Sequence, residues 1–137
     1  MNLRNLALAA TLTALTSFPA IAQDVQHSPP GGDFKAVSSL VKLPDFVPGI
    51  GQLFVNPVTL PAGPFLAYDH KRKLVSTIYM LPIKSMNPKL NLSLAAPGGP
   101  VDHVTVNYNA GHPGVEEPHI HVYLWHVPAA DEASVAK

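Results

Sequence analysis

The 137-residue chain reads as one all-β domain, a small antiparallel sandwich or barrel-like fold. Three observations point there. Fourteen of its fifteen prolines fall after residue 22 and cut the chain into pieces too short for long helices. Several of those pieces alternate apolar and polar residues or are rich in Val, Ile and Tyr. Gly- and Pro-containing turns separate them. No internal repeat is visible.

Residues 1–22 stand apart from this pattern. Arg4 gives one positive charge, Leu6 to Leu15 form an apolar run, and Phe18-Pro19 leads to the small-x-small ending Ala20-Ile21-Ala22. That is the layout of a signal peptide cleaved after Ala22. The apolar run falls short of the ~20 residues a membrane-spanning helix needs. The expectation is export, to the periplasm or outside the cell. Cleavage would leave 115 of the 137 residues, with eight Lys+Arg against nine Asp+Glu. Near-neutrality gives no electrostatic case for nucleic acid, nor for a membrane partner after cleavage. Cysteine is absent, so neither disulfides nor thiolate ligands are available. Stability must come from the apolar core, with a metal or a homo-oligomer as further options.

The remaining elements follow in order. Residues 23–36, "QDVQHSPPGGDFKA", are polar and contain Pro-Pro-Gly-Gly, which suggests a flexible lead. The β domain is expected over 37–128. "FVPGIGQLFV" (46–55) has two glycines two apart without the context of a phosphate loop, so it predicts a tight turn. "GQLFVNPVTL" (51–60) suits a strand. "FLAYDHKRKLVSTIYMLPI" (65–83) reads as a hairpin with one arm ending at Tyr68, a solvated turn over Asp69–Arg72, and a second arm from Lys73 to Leu81. "SMNPKLNLSLAA" (85–96) is ambiguous between strand and irregular helix. "PGGP" (97–100) is a break. "VDHVTVNYN" (101–109) and "HIHVYLWHV" (119–127) are the clearest strands, and 129–137 reads as a frayed or weakly helical tail.

Four of the seven histidines lie in "GHPGVEEPHIHVYLWHV" (111–127). Side chains alternate across a strand, so His119, His121, Tyr123 and Trp125 share one face. Ile120, Val122, Leu124 and His126 share the other, which looks like the core face. In the preceding strand Val104, Val106 and Tyr108 oppose His103, Thr105 and Asn107. A hairpin with 109 opposite 119 makes the two apolar faces coincide. It also places Asn107 opposite His121. His119 and His121 then project side by side, Cα atoms roughly 6.5–7 Å apart, which lets two imidazoles meet on one ion. His103 lies about 13 Å further along the strand. His112, before the Pro113-Gly114 turn, therefore ranks above it as third ligand, with Glu117 as an optional fourth. Asn107 is a candidate acceptor for the outer N–H of a ligating imidazole. Imidazole and carboxylate without thiolate suit divalent Zn, Cu, Ni, Mn or Fe. The alternative is a set of hydrogen-bonded strand histidines with no ion.

"FVPGIGQLFVNP", "LPAGPFLAYDHKRKLVSTIYMLP" and "VDHVTVNYNAGHPGVEEPHIHVYLWHV" together resemble the TTHB210-like domain, a family of exported bacterial proteins of unknown function. The likeness spans roughly residues 45–127 and is most specific over 111–121. The resemblance implies an all-β fold and export, and it marks His112, His119 and His121 as the positions to carry over. It implies no activity. This chain departs from the family pattern at Gln52-Leu53, where relatives carry a histidine. Arg72 stands where they carry glycine, and Tyr123 falls near where a wider His spacing would end.

Three functions fit. The first is a metal-binding or metal-sensing domain, or one that binds a small ligand through its metal. The second is a metal-dependent hydrolase, lyase or oxygenase with Glu116 or Glu117 as general base and a cavity walled by Tyr123 and Trp125. The third is an assembly protein whose histidines are structural.

Overall fold

The computed structural model describes residues 24–135; the expected signal peptide, residues 1–22, lies outside them. The strands are β1 (Lys35–Ala36), β2 (Gln52–Val55), β3 (Phe65–Tyr68), β4 (Leu74–Pro82), β5 (His103–Asn109) and β6 (His119–Trp125). All pair antiparallel in one sheet of order β1-β2-β3-β4-β6-β5. The expected all-β antiparallel class holds, as an open sheet with β1 and β5 at its edges. The only α-helix among the described residues is α1 (Ala129–Glu132). No helix there is long and apolar enough to cross a membrane.

The β3–β4 hairpin forms where its sequence places it. Asp69 closes the turn, its Oδ1 accepting from the backbone N–H groups of Lys71 and Lys73, both at 2.9 Å. Arg72 takes a left-handed backbone (φ 67°), the position where a glycine would be free of strain. Tyr68 pairs with Leu74 and Ala67 with Ser76, so Val75 is the extra residue of a bulge. Residues 24–36, expected to be a loose lead, are held along this hairpin. Ser28 N–H donates to Arg72 O (2.9 Å), Leu74 N–H to Gln26 O (2.9 Å), and the Tyr68 hydroxyl to Val25 O (2.8 Å). Lys35–Ala36 then add to β2 as the edge strand.

The β5–β6 hairpin has the register read from the sequence, Asn109 opposite His119 and Asn107 opposite His121. The apolar faces coincide, Val104 with Leu124 and Val106 with Val122. Burial, however, is reversed from expectation. The imidazole and aromatic face is the core face: His119 is 0% exposed and His121 9%. On the other face, Val106 is 62% exposed and Tyr108 64%. The reason is a tertiary one. Residues 37–50 fold back across the sheet and lay Val37, Val41, Leu43 and Ile50 over Val55, Phe65, Ile78 and Tyr123. Residues 46–51 form the expected tight turn, with Val47 and Gly51 exchanging backbone hydrogen bonds at 2.9 and 3.0 Å.

Two further segments differ from their sequence reading. Residues 86–100 form no regular element, but the strap crosses β4 and accepts hydrogen bonds at Ala95 O from the Tyr79 hydroxyl and at Pro97 O from Thr77 Oγ1. The tail keeps its weak helix in α1, and beyond it Val135 is buried in the main core.

Candidate metal centre

Pro113-Gly114 forms a two-residue turn that brings His112 back over the start of β6. His112 and Val115 exchange backbone hydrogen bonds across it, both 2.9 Å. Gly111 makes the approach possible. Its φ is +130°, and a Cβ there would lie 2.4 Å from the Glu116 carbonyl oxygen. Gly111→Ala is therefore expected to displace this loop. A metal held by His112 should then bind about tenfold more weakly in isothermal titration, the lower end of what misplacing a ligand's supports costs.

His119 and His121 enter from β6 on the buried face, as the i, i+2 spacing requires. His119 Nε2 is 2.9 Å from His121 Nε2 and 3.2 Å from His112 Nε2. One nitrogen from each of the three imidazoles falls within a 4.8 Å group, so the trio could hold a metal ion. Bonds of ~2.0–2.1 Å put ligand nitrogens roughly 3.0 Å apart at a right angle and roughly 3.3 Å apart at the tetrahedral angle. The two closest separations fall close to that interval.

The outer nitrogens fix which tautomer faces inward. His119 Nδ1–H donates to Glu117 O at 2.6 Å, and His112 Nδ1–H donates to Pro113 O at 3.1 Å. A carbonyl oxygen only accepts, so Nδ1 of each ring keeps its proton and Nε2 is the nitrogen turned to the centre. His121 Nδ1 pairs with the Tyr123 hydroxyl at 3.2 Å. Burial first, then the neighbouring His119 and His112, push the His121 imidazole down from its ordinary 6.5 to about 4. It is neutral at pH 7, the form a metal needs. Burial also raises the Tyr123 phenol, which stays protonated.

Of the residues expected at this site, His112, His119 and His121 come together. The Glu117 side chain is placed elsewhere: its carboxylate is exposed and pairs with Lys84 Nζ at 2.6 and 2.5 Å. Its backbone carbonyl serves the site instead. Were the three imidazoles to hold a metal, Glu117→Gln should change its affinity by less than about threefold in the same titration, since an exposed pair contributes little. Asn107 is exposed, and the outer nitrogens take two carbonyls and a phenol in its place. His103, excluded by register, stacks on Trp125 (5.9 Å) and bonds Asp102 and Glu132. Those two carboxylates raise its pKa, Glu132 first. His126, of opposite parity, bonds Thr77 Oγ1 at 2.9 Å and Pro100 O at 2.8 Å.

An apolar cavity of about 330 Å³ lies beside the triad, between the sheet and residues 37–50. His112, His121 and Tyr123 reach its wall, and Asn109 joins them. Trp125, expected as a wall, instead donates its Nε1–H to Thr105 Oγ1 at 2.9 Å. Tyr123 thus stands at the cavity wall as the sequence suggests, whereas the opposite side, built by residues 37–50 with Val37, Val41 and Ile50, is not expected from it.

Fold and site together define a small open-sheet β domain with three buried or half-buried imidazoles beside an apolar cavity, two of them in its wall. A solved structure, the hypothetical protein TTHB210 from Thermus thermophilus, is 40% identical to it. The match covers 69% of this chain and 93% of that one, with a TM-score of 0.61. The chain belongs to the TTHB210-like family of unknown function. No family model matches it, and no curated protein does.

Proposed function

We propose that this domain is exported and binds one divalent transition metal through Nε2 of His112, His119 and His121. The observation that carries the reading is the convergence of three imidazole nitrogens at 2.9 and 3.2 Å while the outer nitrogens are already engaged. With its Nδ1–H given to Glu117 O, His119 turns a lone pair inward beside the other two Nε2 atoms, where a shared cation would take all three. The donor set of three nitrogens suits Zn, Cu, Ni, Mn or Fe. Three protein ligands leave a coordination position open, and the cavity at His112 and His121 gives a small ligand access to it. The metal would act as a Lewis acid toward whatever occupies that position.

Binding is favoured over hydrolysis by the lining. Glu116 and Glu117 are exposed and neither lines the cavity, so no carboxylate stands ready there as general base. The test is metal content by plasma mass spectrometry after exposure to each ion and removal of excess. About one equivalent, lost on His112→Ala/His119→Ala/His121→Ala, supports the reading; no retained metal with any of the five ions sinks it. Export rests on the sequence of residues 1–22. It predicts that protein recovered from the periplasm or medium begins at Gln23, and an intact Met1 terminus would overturn it.

One observation favours assembly as a second role. Val104, Val106 and Tyr108 expose a continuous apolar face on the edge strand β5. Self-association through it should be lost in Val106→Glu, read by light scattering; a monomeric parent would end the idea.

A further inference from the structure

We infer that the ligand taken at the open metal position is an apolar monocarboxylate of medium chain length. Its carboxylate would bind the ion and its hydrocarbon body would fill the cavity. The inference rests on the metal reading above and adds the chemistry of what the metal holds.

Charge is the first argument. An imidazole binds a metal through a lone pair and as a neutral ligand, so three of them leave a divalent ion with its full positive charge. The residues lining the cavity include no Asp or Glu to offset it. The carboxylate suggested by the sequence, Glu117, is committed to Lys84 at the surface. A divalent charge against an apolar wall is costly unless an anion joins it. An anionic oxygen on the incoming ligand meets that need, and a second cation such as an amine would be repelled.

Shape is the second. Away from the triad the wall is aliphatic and aromatic: Leu40, Val41, Ile50, Leu53, Val55 and Phe65 contribute to it. None carries a hydrogen-bonding side chain, so a sugar, nucleotide or peptide would lose its water there without replacement. A volume of about 330 Å³ sits at the small end of ligand pockets, which favours a medium chain over a long one.

The metal would hold the carboxylate at its open position, and the chain would leave it along the wall that Val55 and Phe65 line.

The test uses purified protein loaded with Co(II), whose visible spectrum reports the triad before any carboxylate is added. Acetate, butanoate, hexanoate and octanoate are then titrated in turn. Affinity should rise about three- to fourfold per methylene until the cavity is full, giving octanoate at least ~100-fold over acetate. Ile50→Trp, which narrows the cavity from a turn outside the sheet, should abolish that advantage and leave the Co(II) spectrum unchanged. Protein stripped with chelator should bind octanoate at least about tenfold more weakly. A Co(II) spectrum with octanoate no tighter than acetate would overturn this inference and leave the metal reading standing. Equal octanoate binding by stripped protein would overturn the carboxylate–metal contact. No Co(II) spectrum at all would bring down both.

Discussion

His119→Ala should lower metal affinity by about 100-fold or more. Binding at a site of this kind is worth on the order of 10 kcal/mol shared among a few ligands, so one ligand carries several. His119 is the hinge of the group. It is the fully buried member, it neighbours both other Nε2 atoms, and its Nδ1 is locked by Glu117 O at 2.6 Å. Competition against a chromophoric chelator would read the loss, and circular dichroism would check that the sheet survives. The same variant should lose the metal-dependent stabilisation, which in the parent amounts to about 2.7 kcal/mol at a hundredfold excess over Kd and shows as a raised melting temperature. An unchanged affinity would mean that the ion binds elsewhere.

Acid should destabilise the metal-free protein through His121. In the unfolded chain its imidazole protonates near 6.5; in the folded chain the value is about 4. The folded pKa is the lower one, so the contribution is fully present above 6.5. As pH falls toward 4 the unfolded state takes up a proton that the folded state refuses, and stability declines until both are protonated. The interval corresponds to roughly 3 kcal/mol for this one group. Urea unfolding in chelator at pH 7 and pH 4.5 would measure it, with His121→Gln subtracting the carboxylates that titrate in the same range. The parent should lose more stability than the variant. Equal losses would show that burial does not hold His121 neutral. The same proton competes with the metal, so affinity should also fall as pH is lowered.

Local signals were enough to place several parts of this molecule. Turn chemistry at Asp69–Arg72 and period-two alternation placed the β3–β4 hairpin, and parity together with loop length placed Asn109 opposite His119. From that register followed the exclusion of His103 and the choice of His112, brought in by the Pro113-Gly114 turn. What alternation cannot tell is which face is covered. It sorted Val106 from Asn107 correctly and then assigned the core to the wrong side. Covering depends on residues 37–50, distant in sequence, whose aliphatic side chains dock on the imidazole face. The same long-range contacts anchor residues 24–36 and Val135, both of which look loose when read alone. Glu117 was legible as a neighbour of the site, but its side chain and its carbonyl had separate fates, and only coordinates distinguish them.

The histidine face is buried, satisfied at its outer nitrogens and open to a cavity, and the central claim is that three Nε2 atoms share one ion there. The most direct measurement is an anomalous difference map from a crystal grown with Zn or Co(II), collected at the metal's absorption edge. The account predicts one strong peak about 2.0–2.1 Å from Nε2 of His112, His119 and His121. No peak among them, or a peak bound only to surface groups such as Glu116 or His70, would contradict it.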